Sequence, residues 1–406
     1  MSQKKRIHQD YSSLSVDITN TISKTEKKNN GIYFTPQSTI KRNIELLSPY
    51  ITSIKTVLEP SCGSCEYIQY LSQMYPNLSI SGIEYNNTIF DSIQHLKSER
   101  IHLENSDFLD SNNENSYDLI IGNPPYYVMK KSDVPKSYYK YFDGRPNIFI
   151  LFIIKSFSCL RKNGILSFIL PKNFLNSLYY DKTRKYISER FHIIHISECN
   201  DQYMETAQDT ILFIVQKRSS ENNNPFLLNL STYTIFAEPV KIQRLQELYE
   251  NSLTLSKLGF DVKVGTVVWN ECKSILTNNS RDTLLIYSSD IKNHKLDIQT
   301  YNNVAKKNYI HKTGNTEPVL VINRGYGTGE YKFEYCLIDM SREYLIENHL
   351  ICVVHKHSLE RPKLMELYKQ VTNSFQNEKT KEFISLYFGN NAINTTELCE
   401  ILPIYV

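Results

Sequence analysis

Four consecutive residues, Asn123-Pro124-Pro125-Tyr126, supply groups that can hold an amine and lie against a flat ring. The Asn123 side-chain amide and the backbone carbonyl of Pro124 are both acceptors, so a planar amine can give one hydrogen to each. Tyr126 adds a ring able to lie on the face of a heterocycle. These residues follow the apolar run Tyr117-Asp118-Leu119-Ile120-Ile121-Gly122, which reads as a short buried strand. Two prolines, each without an N–H and with a fixed φ, forbid its continuation. The acceptors therefore fall at the C-terminal edge of a strand, where open α/β sheets hold their ligands. Taken alone, a polar residue before Pro-Pro is also ordinary turn chemistry. The neighbouring acids decide between the two.

Glu59, Glu84 and Asp107 each stand at or just past the end of an expected strand, in order along the chain. In a doubly wound sheet such ends share one rim. A carboxylate after the second strand suits ribose hydroxyls, and Asp107 with Phe108 suits an adenine edge and face. Neither Gly-x-Gly-x-x-Gly nor Gly-Lys-Ser/Thr precedes them, which disfavours a pyrophosphate or triphosphate. An adenosine with an uncharged or cationic tail fits better.

The elements that must position these residues can be read from period and punctuation. Over residues 31–217 short apolar runs alternate with helical periods, predicting a parallel or mostly parallel sheet flanked by helices. Pro36 opens a helix with Ile40, Ile44 and Leu47 on one face. Thr56-Val57-Leu58 is a strand, ended by the small-residue turn Glu59-Pro60-Ser61-Cys62-Gly63-Ser64-Cys65. A helix carrying Ile68 and Leu71, a strand over 80–84, a helix with Ile89, Ile93 and Leu96, and a short strand before Ser106 follow. Further strands are expected over 165–170, after the Asn163-Gly164 turn, and over 211–215.

With 406 residues, 41% hydrophobic and 22% charged, the chain is globular and long enough for two domains. Its longest apolar run, residues 148–154, is too short to span a bilayer, and the polar start lacks a signal-peptide core. An intracellular, cytoplasmic protein is expected. Eight cysteines without framework spacing fit a reducing compartment. Six basic and three acidic residues within 1–30 account for the whole net charge of +3. A polyanion must then be met by local patches. Residues 1–30, polar and lysine-rich, read as a mobile tail.

The motifs Gly31-Ile32-Tyr33-Phe34-Thr35-Pro36, Leu58-Glu59-Pro60-Ser61-Cys62-Gly63, Gly82-Ile83-Glu84, Ser106-Asp107-Phe108 and Asn123-Pro124-Pro125-Tyr126 occur in that order. Together they resemble the successive motifs of S-adenosylmethionine-dependent adenine-N6 DNA methyltransferases, and more narrowly the gamma class of restriction-modification systems. The resemblance covers residues 31–217 and runs more loosely beyond. It implies a Rossmann-like methyltransferase sheet with flanking helices over 31–237 and a mixed α+β target-recognition domain over 238–406. It implies that Thr35 and Pro36 border the methionine portion of S-adenosylmethionine, and that Glu59, Pro60 and Cys62 form the wall under it. Glu84 would hold the ribose, and Asp107 with Phe108 the adenine. The family usually has glycine where this chain has Cys65, so close backbone approach is altered there. Cys62 and Cys65 make a C-x-x-C with no second pair or histidine at zinc spacing, and no metal is expected.

The implied catalytic set is Asn123, Pro124, Pro125 and Tyr126, joined by Phe213 as the second ring closing a sandwich on an extruded base. An exocyclic adenine amine is a poor nucleophile, because its lone pair is delocalised, and it must leave the duplex stack at a cost of a few kcal/mol. Acceptors at Asn123 and Pro124 favour a pyramidal nitrogen aimed at the methyl group, so alignment and hydrogen bonding suffice without a covalent intermediate. Tyr126 stacking would contribute roughly 1–3 kcal/mol. Next to it, residues 127–147 interleave Lys130, Lys131, Lys136, Lys140 and Arg145 with Tyr138, Tyr139, Tyr141 and Phe142, a composition suited to phosphate contacts and stacking.

From residue 238 onward, twenty basic residues balance twenty acidic ones. Between residues 292 and 332, however, Lys292, Lys295, Lys306, Lys307, Lys312, Arg324 and Lys332 outnumber the acids, forming a candidate DNA-facing strip with a glycine-rich turn at 325–329. Trp269 reads as core. The expected partner is double-stranded DNA, with a separate restriction endonuclease of the same system as a second partner and the chain itself a monomer. The tetrapeptide also occurs in methyltransferases acting on RNA and on protein glutamine. A catalytically silent DNA-binding subunit with the same fold is the reading from another class.

Overall fold

Strand after strand in the first half of the chain is apolar along nearly its whole length, as a sheet covered on both faces requires. The computed structural model describes residues 10–201, 203–218, 224–230, 232–324, 332–388 and 393–406. The chain divides into two compact units, Met1–Ile242 and Gln243–Val406.

In the first unit, α1 (Ser13–Thr21), α2 (Lys24–Asn30) and α3 (Gln37–Leu47) precede β1 (Thr56–Glu59). Then come α4 (Glu66–Met74), β2 (Ser79–Ile83), α5 (Asn87–Ile93), β3 (Ile101–Glu104) and β4 (Tyr117–Gly122). After these follow α6 (Ile148–Cys159), β5 (Leu160–Pro171), α7 (Asp181–Arg190), β6 (His192–Cys199) and β7 (Thr210–Gln216). The seven strands lie in the order β3-β2-β1-β4-β5-β7-β6. All neighbours from β3 to β5 are parallel, and β7 runs antiparallel to both β5 and β6. This is a Rossmann-like sheet with flanking helices, as expected from sequence. Its strand order reverses between β1 and β4, which opens a crevice at their C-terminal ends.

One core packs α3 and α4 on one face of the sheet, with Ile40, Ile44, Leu47, Ile68 and Leu71 against Val57, Leu119 and Ile121. The opposite core packs α6 against Leu58, Ile120, Leu166 and Phe168. Helix α6 is apolar on nearly every side because the sheet lies under it and Tyr138, Tyr139 and Phe142 cover it. Tyr138, Tyr139 and Phe142 thus serve packing. Lys131 and Lys140 lie over the rings of Tyr139 and Tyr141, at 4.7 and 5.0 Å.

Three expectations are corrected. Residues 13–30 are not a mobile tail but two helices, with Ser12 and Ser23 as side-chain N-caps and Gly31, at φ +65°, ending α2. They dock through Ser15 Oγ to Ser64 Oγ at 2.7 Å, and through the buried Lys27, whose ammonium reaches Glu205 and the Thr19 carbonyl, each at 2.7 Å. Residues 1–9 lie outside the described residues. Strand β6 is additional to the strands expected from sequence. Strand β5 begins at Leu160, five residues earlier than expected, because the Asn163-Gly164 turn is absorbed as an irregularity in its pairing with β4.

The second unit is mixed α+β. One antiparallel sheet orders Phe260–Val264, Leu350–His355, Val319–Asn323 and Tyr335–Ile338. A second orders Leu276–Thr277, Tyr309–Ile310, Thr283–Ile286 and Tyr344–Ile346. The helix Arg361–Gln376 buries Tyr368, Val371 and Phe375. Trp269 is half-buried against the cluster of Val267, Leu276 and Tyr287. The glycine-rich turn at 325–329 lies outside the described residues. Among the described residues no helix is long and apolar enough to cross a membrane.

Candidate cofactor and amine site

A cleft of about 700 Å³ lies at the ends of β1 to β4. Its lining includes Pro60, Glu84, Asp107, Phe108, Asn123 and Pro125, six of the residues singled out from sequence. Glu84 Oε2 accepts from the Gly63 N–H at 2.9 Å and Oε1 from the Asn86 N–H at 2.8 Å. That clamps the turn after β1 to the end of β2 while leaving further lone pairs on each oxygen. Burial pushes the Glu84 carboxyl above its ordinary value, against those backbone hydrogen bonds. Asp107 Oδ1 accepts from the Leu109 N–H at 2.8 Å, and among the described residues its Oδ2 has no partner. Beside it the buried Ser106 hydroxyl is likewise unpaired, a polar atom in the cleft wall without a protein partner.

Among the described residues the cleft lining contains the carboxylates Glu26, Glu84 and Asp107 and no lysine or arginine. Such a wall repels phosphates and favours a ligand carrying positive charge. The donor and acceptor set fits an adenosine bearing a cationic tail.

Other predicted residues stand behind the wall. Glu59 is 4% exposed, and its Oε2 has no partner. Burial, with Cys65, Glu66 and Glu84 nearby, raises its carboxyl well above the usual range. Cys62 is buried and its N–H donates to the Ile83 carbonyl at 2.9 Å, so it ties β1 to β2. Cys65, fully buried, takes the left-handed conformation at φ +60° that glycine adopts more readily. Thr35 is buried, and Pro36 stands at the N-cap of α3. Among the described residues no three His, Cys, Asp or Glu side chains are arranged to hold a metal ion.

Asn123 sits where β4 ends. Its Nδ2 donates to the Tyr33 carbonyl and the Thr35 hydroxyl, both at 3.3 Å, and its Oδ1 accepts from the Tyr126 hydroxyl at 2.5 Å. The side chain is thus fixed from both ends, with a second lone pair remaining on Oδ1. Pro124 is buried, and its carbonyl accepts no hydrogen bond among the described residues. Gly31 explains how the turn is held: a Cβ there would come within 2.7 Å of the Tyr126 nitrogen. Its φ and the missing side chain are both needed for α2 to end against the tetrapeptide.

Two aromatic assignments change. Tyr126 is half-buried, its ring edge-on to Phe149 and its hydroxyl also 2.6 Å from the Ile169 carbonyl, so the hydroxyl points into the domain. Phe213 is fully buried between Phe174 and Phe236, at 5.3 and 5.9 Å, and is absent from the cleft lining. It is core because β7 is covered on both faces. Sequence reasoning passed over Tyr33, Phe34, Tyr85 and Tyr127, which line the cleft, and Glu26 on α2. All but Glu26 lie inside or next to a recognised motif, a signal that was available.

Residues 13–204 match the family model described as Eco57I restriction-modification methylase. Over those residues the chain is similar to restriction-modification methylases. The chain is 26% identical to the Type II methyltransferase M.CvrRI of Paramecium bursaria Chlorella virus XZ-6E, over 96% of this chain and 98% of that protein. It is 25% identical to the modification methylase CviBIII of Paramecium bursaria Chlorella virus NC1A, over 97% and 99%. Its likeness to those two methylases therefore runs through both units. Among solved structures, a putative class I S-adenosylmethionine-dependent methyltransferase from Listeria monocytogenes aligns with a TM-score of 0.43 at 17% identity, over 55% of this chain and 69% of that one.

Proposed function

We propose that this protein is a methyltransferase that transfers a methyl group from S-adenosylmethionine to the N6 amine of an adenine flipped out of double-stranded DNA. The observation that supports the reading is Asn123, with a lone pair left on Oδ1, in the lining of a cleft that is acid-lined and free of lysine and arginine among the described residues. Bound in the cleft, the cofactor supplies a sulfonium methyl that is already activated for transfer. Glu84 accepts from the ribose hydroxyls, while Asp107 and Ser106 meet the adenine edge of the cofactor. Asn123 and Pro124 orient the incoming amine and turn its lone pair toward the methyl. The work of the protein is alignment, with no nucleophilic side chain required. Residues 243–406 hold the duplex and set the target sequence, and the modification would protect DNA from a nuclease of the same system.

The test is transfer from methyl-labelled cofactor to duplex DNA, structured RNA and protein, followed by digestion to nucleosides. Label recovered as N6-methyladenine from DNA is expected. Label in RNA, in protein or in another base, or none at all, overturns the reading.

A further inference from the structure

A second cleft, of about 800 Å³, lies in the unit Gln243–Val406 at one end of the sheet that joins Tyr309–Ile310, Thr283–Ile286 and Tyr344–Ile346. Arg281 precedes the second of these strands, His311 and Lys312 follow the first, and Arg342 precedes the third, so the register of three neighbouring strands brings four basic side chains around one opening. We infer that this cleft is a phosphodiester-binding site for the DNA backbone, with Arg281 and Lys312 supplying the contacts and Arg342 and His311 forming its fixed wall. The inference rests on the DNA reading above.

Two of the four are held in place before any ligand arrives. Arg342 Nη2 donates to the carbonyls of Ser280 and Asp282, each at 3.0 Å, and its guanidinium lies 5.2 Å from the Tyr309 ring centre. His311 Nδ1 meets Asp282 Oδ1 at 3.1 Å. Of the two acids of the cleft, Asp282 meets His311 through Oδ1 while its Oδ2 is buried without a partner among the described residues, and Glu343 is engaged by the Gly314 N–H at 2.9 Å and the Thr283 hydroxyl at 3.4 Å. The exposed Arg281 guanidinium and Lys312 ammonium have no protein partner among the described residues. Two unpaired cations over a fixed basic wall are the arrangement that phosphate contacts need. The strip read from sequence is redistributed accordingly. Lys306 is caged between the rings of Tyr287 and Tyr301, at 4.1 and 3.8 Å, and Lys307 donates to the Leu276 carbonyl, so neither faces DNA freely. Arg281 and Arg342 fall outside that strip, because each stands alone in a turn.

The test compares Arg281→Ala/Lys312→Ala with the matched double variant Lys363→Ala/Lys369→Ala, which removes two exposed charges from the helix Arg361–Gln376 of the same unit. Duplex-DNA affinity is measured across a salt series with the full chain. Removing one phosphate-neutralising side chain lowers the log–log salt slope by about 0.9, so the cleft variant's slope falls by about 2 and the control keeps the wild-type slope. KM for DNA rises in the cleft variant, kcat at saturating DNA is unchanged, and cofactor affinity stays at wild type. An unaltered slope, or an equal fall in both double variants, overturns the inference. So does tight binding of inorganic phosphate to a cleft whose variant leaves the DNA slope intact. If wild-type protein shows no salt-dependent affinity for DNA, it is the proposed function that fails.

Discussion

Replacing Glu84 by glutamine separates cofactor recognition from folding. In the protein the carboxylate takes one backbone N–H on each oxygen, from Gly63 and Asn86, and presents its remaining lone pairs to the cleft. Glutamine keeps one acceptor and sets an NH₂ group against the other N–H, donor facing donor. The cofactor then loses about one charge-assisted hydrogen bond, worth about 1.5–3 kcal/mol. Its Kd should rise about 10- to 150-fold. Stability should move little, because the orphaned N–H is offset by removing a carboxylate whose ionised form burial disfavours. The same burial gives a pH signature. With the folded carboxyl raised above its ordinary 4.5, the native state holds the proton more tightly than the unfolded chain. Stability from this group is therefore full in acid and is lost as pH rises through the raised value, while cofactor affinity, which needs the ionised form, climbs over the same interval. Isothermal titration calorimetry with S-adenosylmethionine across pH, paired with thermal melts, reads both. An unchanged Kd in Glu84→Gln, or an acid limb that persists in it, refutes the ribose assignment.

Asn123→Ala should lower the methylation rate by about 10²–10³-fold, the scale of losing one aligned hydrogen-bonding group at a reacting centre. Cofactor affinity should remain close to wild type, and single-turnover rates that match wild type would remove Asn123 from catalysis. Phe213→Ala should cost about 3–5 kcal/mol of unfolding free energy in a denaturant titration, as for any large ring deleted from a packed core. A fully stable Phe213→Ala protein with impaired binding of DNA containing an unpaired adenine would restore its role as a stacking partner.

The parts of the site that were legible in the sequence are those whose chemistry and local conformation coincide. An acid just past an apolar strand, or a proline pair that ends one, carries its own position, and Glu84, Asp107 and Asn123 reach one cleft as expected. The two N-terminal helices were also written locally, in Ser12 and Ser23 at the caps and Gly31 at the end, but polar composition outweighed those signals. Their stability comes from distant partners such as Ser64 and Glu205, which no short window contains.

The sequence by itself determined the alternation of strand and helix, the order of the motifs along the rim and the chemical types offered to a ligand, because these depend on spacing within a few residues. Only the tertiary structure decided which side chains face the cleft. Phe213 on β7 and Phe108 in the turn after β3 are both buried, yet one is sealed between two other phenylalanines while the other, packed on Phe152, also borders the cavity. The difference lies in position: β7 is covered on both faces, whereas the turn after β3 stands at the rim where the cleft opens. In the second unit the cationic cleft exists only because three strands distant in sequence end at the same level, and that pairing is a property of the folded sheet.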